Sequence, residues 1–208
     1  MENNIEFSAQ LICGCLKDAV LCVEVKTKMH IKQYDFQREY SCYAEEYEAK
    51  AIKVLRSGWY TLGEELSSFE KEWATYNGVK NCIGVASGLD ALTISLKILG
   101  IGEGDEVIVP ANTFIASALA ITHNRAIPVF AEPDEYYTID CEKVESLITS
   151  HTKAVMAVHL YGCPCQMDYI VDMCRRKNLY LIEDCAQAHG AIYQGQSVGT
   201  FGRSEEHT

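Results

Sequence analysis

The sequence predicts an α/β protein: a mixed, mostly parallel sheet covered by helices. Three observations carry this. Between about residues 79 and 193, short β-prone apolar runs alternate with longer amphipathic stretches, the pattern of repeated βαβ units. The runs are apolar throughout, as strands buried on both faces tend to be. The stretches between them carry apolar residues three and four apart, as in Leu92, Leu96 and Leu99, which form one stripe along a helix.

In chain order, strands are expected at 82–85, 106–109, 127–130, 154–159 and 180–183, with helices at 88–99, 113–124, 141–149 and 167–177. Asp140 and Asp168 stand near helix starts, where a carboxylate caps free amides. Upstream, a helix over 43–55 ends at Ser57-Gly58 and another over 65–76 ends at Asn77-Gly78. These form a helical arm over 29–78, ahead of the α/β domain at 79–202. Residues 1–28 fit nothing downstream and read as an unrelated leader.

The bulk numbers exclude several function classes. With 208 residues, 48% of them hydrophobic, the chain can build one domain with a sizeable core. A net charge of -11 leaves no basic footprint for nucleic acid. No apolar stretch approaches the roughly 20 residues of a membrane helix, since even residues 11–25 are broken by Lys17, Asp18 and Glu24. The ten cysteines are scattered and lack the pair-of-pairs spacing of a zinc site, which points to reduced thiols and a cytoplasmic chain. Cys163 and Cys165 near His159 lack a fourth ligand, so no metal is expected and two small loop residues are the better account.

Several residues can carry chemistry. In Val85-Ala-Ser-Gly-Leu-Asp-Ala-Leu92, Ser87 and Gly88 stand between a strand and a helix, where free amides and a hydroxyl make an anion site. An ordinary N-cap is the alternative. The dinucleotide fingerprint Gly-x-Gly-x-x-Gly follows no strand, which sets a nicotinamide enzyme well behind other readings. Leu179-Tyr-Leu-Ile-Glu-Asp184 ends a strand in two carboxylates at the edge where open α/β sheets bind ligands. Asp184 is the better site candidate: a protonated pyridine nitrogen would partner it and act as an electron sink. A capping or salt-bridged Asp is the plain alternative. Gln187 and His189 follow within a few residues, one suited to a ring hydroxyl, the other to substrate or simply to a local hydrogen bond. Phe114, just past another strand end, suits stacking on a flat cofactor or burial in the core, and the same ambiguity covers His159 and Tyr161.

Five segments in order resemble the DegT/DnrJ/StrS family of sugar aminotransferases: Ser57-Gly-Trp-Tyr-Thr-Leu-Gly63, 85–92, Val109-Pro-Ala-Asn-Thr-Phe-Ile-Ala-Ser117, Val158-His-Leu-Tyr-Gly162 and Ile182-Glu-Asp-Cys-Ala-Gln-Ala-His-Gly190. The resemblance covers about residues 29–202. It implies fold type I, the aspartate-aminotransferase fold, a homodimer, and pyridoxal 5'-phosphate as cofactor. It assigns Ser87, Gly88 and Leu89 to the phosphate, Phe114 to ring stacking, Asp184 to the pyridine nitrogen and Gln187 to the ring hydroxyl side. Leu89 departs from the Thr frequent there, which removes a hydroxyl but leaves the amide. His159, Tyr161 and His189 remain candidate substrate contacts from their positions at strand ends and beside Asp184. The implied reaction passes an amino group from glutamate to a nucleotide-linked keto-sugar. The motifs, with Glu132-Pro-Asp134, look most like members that aminate dTDP-3-keto-6-deoxyhexoses.

Both chain ends depart from this pattern. The Schiff-base lysine of the family lies in a motif resembling Ser-Phe-Tyr-Pro-x-Lys, shortly after a glycine matching Gly202, whereas this chain continues Arg-Ser-Glu-Glu-His-Thr and stops. Codons for that hexapeptide can spell the start of a common sequencing adapter, so residues 203–208 are expected to be foreign. Met29 is the expected true start, because family chains begin just before a segment like Ile31-Lys-Gln-Tyr-Asp-Phe-Gln-Arg-Glu-Tyr40. On this reading the large domain is incomplete at its C-terminus, the small C-terminal domain is absent, and the chain does not turn over. The alternatives are a sugar dehydratase of the same fold, with His in place of the lysine, and a non-catalytic regulatory relative.

Overall fold

The structure, a computed structural model, describes residues 35–202 and the backbone of 204–206. The expectations for residues 1–28, and for the tail at 203–208 apart from that backbone, lie outside the described residues. Two compact units divide after Tyr60. The first contains helix α1, Phe36–Ser57, started by Asp35, whose side chain accepts the Arg38 amide. It is interrupted at Tyr43 and closed by Gly58 at a left-handed φ of 70°.

The second unit begins at Thr61, and its first helix is α2, Glu64–Asn77. Contacts explain the placement of α2: the Glu70 carboxylate accepts the Gly84 amide at 2.8 Å, and Trp73 meets the His189 ring edge-on. There follow α3 (Gly88–Ile98), β1 (Glu106–Pro110), α4 (Ile115–His123), β2 (Ile127–Ala131), α5 (Cys141–Leu147), β3 (Thr152–Val158), a 3-10 turn at Leu160–Gly162, α6 (Met167–Lys177) and β4 (Tyr180–Asp184). A small hairpin of β5 (Ile192–Tyr193) and β6 (Gln196–Ser197) precedes β7 (Ser204–Glu206).

The main sheet has the order β2-β1-β3-β4-β7, with every described pair parallel; the antiparallel pair β5-β6 stands apart from it. The mixed sheet expected from sequence is therefore a wholly parallel one among the described residues. Parallel neighbours need crossovers; α4, α5 and α6 supply those among β1 to β4, and the stretch carrying the β5–β6 hairpin leads from β4 to β7. The expected strand at 82–85 does not form. A strand exists only with a hydrogen-bonded neighbour, and here Gly84 spends its amide on the Glu70 side chain instead.

Strand alternation sorts the core into two layers. Val107, Val109, Met156, Val158 and Ile182 pack under α3 and α4 with Leu92, Leu96, Ala120 and Ile121. Ile108, Val155, Ala157 and Leu181 pack under α5 and α6 with Val144, Met167, Ile170 and Met173. The chain leaves β1 through α4 on one face to reach β2, then crosses back through α5 on the other face to β3. The direction of winding thus reverses between β1 and β3, which by the rule for open parallel sheets puts the ligand-binding crevice at the C-terminal ends of those strands. Among the described residues no helix is long and apolar enough to cross a membrane.

Candidate active site

The loops at that crevice carry most of the residues singled out in the sequence. Phe114 directly follows the turn after β1 and sits at the N-cap of α4 with its ring 70% exposed. An aromatic ring this exposed at the mouth of a crevice is not serving the core. One turn further, Ser117 is fully buried, and its hydroxyl donates to Asp184 Oδ2 at 2.9 Å. Thr113 Oγ1 lies 2.8 Å from the same hydroxyl, so a three-residue relay ties the start of α4 to the end of β4.

Asp184 itself is 7% exposed, and its Oδ1 accepts the Ala186 amide at 3.2 Å. Among the described residues no cationic side chain lies within salt-bridge distance of it. A carboxylate so deep is expensive unless a cation or several donors face it. One hydroxyl and one amide leave acceptor capacity on both oxygens, which fits a cationic ring nitrogen. Of the two plain alternatives, the capping one is seen in its bond to the Ala186 amide, and the salt-bridged one is not seen among the described residues.

The third element is α3. Its C-terminus leads within eight residues to the start of β1, so its N-terminus lies toward the C-terminal edge of the sheet, and it packs on α4. Ser87 is its N-cap: Oγ accepts the Asp90 amide at 3.2 Å and donates to the Asp90 carboxylate at 2.9 Å. Ser87 O takes the Ala91 amide, leaving the first-turn amides of Gly88 and Leu89 with no intrahelical acceptor. The N-cap alternative for Ser87 is thus seen, and the free amides beside it retain the capacity to hold an anion. Leu89 lies partly buried against the core, so its contribution there is the amide.

Gln187 and Tyr161 are brought together from neighbouring loops. Gln187 Oε1 accepts the Tyr161 amide at 2.8 Å. Tyr161 takes a left-handed φ of 56°, and glycine follows at 162, where φ is 81° and a Cβ would lie 3.3 Å from the Gln187 carbonyl. The phenol of Tyr161 is left 78% exposed, edge-on to the ring of Tyr137. His189 is exposed and meets Trp73. His159 is different: it is fully buried, with Nδ1 accepting the Cys165 amide at 3.1 Å and Nε2 facing Glu183 at 3.3 Å. It lies under the crevice rather than on its wall. Cys165 thus reaches His159 through its amide, while its thiol donates to the Val158 carbonyl.

Sequence reasoning missed Ser117 and Thr113, although their spacing from Phe114 in Asn112-Thr-Phe-Ile-Ala-Ser117 places Ser117 one turn into the helix. It also set Glu183 behind Asp184. Taken together, the ends of these elements present unbonded amides at a helix N-terminus, an exposed aromatic side chain and a buried carboxylate with spare acceptor capacity.

Comparison with known proteins bears on which chemistry this is. The sequence profile of the DegT/DnrJ/EryC1/StrS aminotransferase family matches residues 41–206. The chain belongs to that family. Among DegT/DnrJ/EryC1/StrS relatives, the dTDP-3-amino-3,6-dideoxy-alpha-D-galactopyranose transaminase of Aneurinibacillus thermoaerophilus is 56% identical over 161 residues, 77% of this chain and 44% of the relative. The crystal structure of S. venezuelae DesV in complex with a ketimine intermediate superposes with a TM-score of 0.78 at 47% identity, covering 79% of this chain and 45% of that one. The structure of Spr1654 from Streptococcus pneumoniae, in its PMP form, gives a TM-score of 0.72 at 30% identity, covering 74% of this chain and 43% of that one. The expected fold, that of the family's aminotransferases, is the one observed. The chain spans less than half the length of the relatives it matches.

Proposed function

We propose that this chain is part of a pyridoxal-phosphate-dependent sugar aminotransferase whose cofactor lies in the crevice between β1, β3 and β4. The observation that carries the reading is Asp184: a nearly buried carboxylate, positioned by the Ser117 hydroxyl and lacking a cationic side chain among the described residues. A pyridine nitrogen placed there is held protonated, and the bound cofactor then supplies an electron sink for the amino-group carbon. Gly88 and Leu89 amides with Ser87 hold the phosphate, Phe114 covers one ring face, and Gln187 lies to the ring hydroxyl side. Tyr161 and His189 stand on the rim, where substrate enters, and the buried His159 opens the turn that carries Tyr161.

For the whole protein, the amino donor is glutamate and the acceptor a nucleotide-linked keto-deoxysugar, of the dTDP-3-keto-6-deoxyhexose type. The similarity to a dTDP-aminosugar transaminase supports that choice. The whole protein acts as a homodimer. Titration with pyridoxal 5'-phosphate, followed by absorbance and by Trp fluorescence, tests the cofactor reading. Saturable binding that Asp184→Ala weakens by tenfold or more is expected; equal binding by the variant would sink the assignment. Glutamate-dependent amination of the dTDP-keto-sugar by the whole protein tests the reaction.

A further inference from the structure

Glu183 is the buried carboxylate to which the cofactor reading gives no part. It precedes Asp184 on β4, so its side chain points to the opposite face of the sheet. It is fully buried there. Its Oε1 accepts the amides of Phe201 at 2.7 Å and Gly202 at 2.5 Å, and its Oε2 accepts the Gly199 amide at 2.8 Å. His159 Nε2 lies 3.3 Å from the same Oε2, and because Nδ1 already accepts the Cys165 amide, Nε2 carries the proton and donates. Four donors therefore converge on one carboxylate. His159, Glu183 and Cys185 also place three possible metal-ligand atoms within 4.8 Å of one another, but both carboxylate oxygens here face N–H groups, not a cation.

The segment it holds cannot drift away or be rebuilt easily. A Cβ at residue 202 would stand 2.7 Å from the Leu181 carbonyl and 3.2 Å from Glu183 Oε1, so only glycine allows this approach. Gly199 adopts a left-handed φ of 81°. Just before it, Val198 packs with Cys185 and Ala188 and donates its amide to the Ala191 carbonyl at 3.0 Å, which ties 199–202 to the loop carrying Gln187. On the other side, the His159 amide donates to the Asp184 carbonyl at 3.1 Å, and His159 opens the turn whose Tyr161 amide binds Gln187.

We propose that Glu183 is the positioning residue of this crevice, gripping segment 199–202 and the His159 ring from the far face of the sheet and so setting the Gln187 loop above. The functional part rests on the reading that Asp184 and Gln187 hold the cofactor. Glu183→Gln tests it sharply, because whichever way the amide turns, its NH2 meets two donors: the Phe201 and Gly202 amides, or the Gly199 amide and His159 Nε2–H.

The measurement is amide hydrogen exchange on the isotope-labelled 208-residue chain, without cofactor, alongside pyridoxal 5'-phosphate titration. In Glu183→Gln, exchange at Gly199, Phe201, Gly202 and Tyr161 should accelerate at least about tenfold, while Val107, Ile108, Val155 and Met156 keep native rates. Cofactor binding should weaken by a similar factor. Unchanged exchange at the four amides, uniform acceleration that includes β1 and β3, or local acceleration with native cofactor affinity would each overturn the proposal. Should Glu183→Gln fail to fold, Gly202→Ala displaces the segment while leaving the carboxylate in place. Faster exchange at Gly199 and Tyr161 is then expected, and native rates at both refute the coupling. Asp184→Asn separates the two readings, because it should lower cofactor binding and leave all four amides protected. A chain that shows the exchange pattern but binds no pyridoxal 5'-phosphate refutes the cofactor reading and the functional part of the Glu183 proposal, leaving only its structural grip.

Discussion

Ser117 Oγ donates to Asp184 Oδ2 at 2.9 Å across 67 residues of sequence, and both groups are buried. Removing the hydroxyl leaves an acceptor unsatisfied in a site that water reaches poorly, at a cost of about 1–3 kcal/mol. Ser117→Ala should therefore lower stability by that order in chemical denaturation and weaken pyridoxal 5'-phosphate binding less than Asp184→Ala does. Binding lost to the same extent in both variants would mean that Ser117 does more than orient the carboxylate.

Phe114 separates site from scaffold. Its ring is largely exposed, so Phe114→Ala should change stability by no more than about 0.5 kcal/mol. Loss of a stacking partner should nonetheless weaken cofactor binding several-fold, in keeping with the roughly 0.5–1.5 kcal/mol of an aromatic pair. A titration curve identical to that of the native chain would remove Phe114 from the site.

Thiol reactivity should follow burial. Burial pushes the thiol of Cys141 up to about 11 and those of Cys165 and Cys174 up to about 12. At pH 8 the thiolate fraction of each is then about one in a thousand or less. Among the cysteines of the described residues, peptide mapping after brief alkylation should show Cys42 modified first, with Cys141, Cys165, Cys174 and Cys185 modified only after unfolding. Rapid native labelling of Cys165 would contradict the packing around His159.

The acid limb of stability should depend on Glu145. Arg176 at 3.2 Å, then Lys177 and the Tyr169 hydroxyl, hold its carboxyl below the usual carboxylate range. A depressed pKa favours the folded state at pH values above the unfolded value of about 4.3, and that stabilisation is lost as pH falls through the folded value. Glu145→Gln should therefore flatten the decline of stability between roughly pH 5 and 3. An unchanged slope would show that these exposed contacts carry no linkage.

Much of the fold was legible because it is written in short-range pattern. The apolar runs at 106–109, 127–130, 154–159 and 180–183 became β1 to β4, and the stripe of Leu92 and Leu96 became the buried face of α3. The failures are informative. The run at 82–85 looks like its neighbours, yet it remains unpaired with any strand among the described residues, since a strand's stability resides in its neighbour. The helix expected from residue 113 starts at Ile115 because Thr113 turns its hydroxyl to Ser117 and Phe114 stays extended as the cap.

The site divides in the same way. Periodicity and motif order determined the βαβ core, the glycine and serine at the head of α3, and two adjacent carboxylates at the end of a strand. Only the tertiary structure decided that Asp184 faces Ser117 and the crevice while Glu183 faces His159 and segment 199–202, and that His159 is a buried hydrogen-bonding residue rather than an exposed one. The physical reason is distance along the chain. A helix or strand is set by residues within a turn or two, whereas, the neighbouring Ala186 amide apart, the donors to the two carboxylates come from 16 to 67 residues away. Strand order brings them together, and local sequence does not contain it.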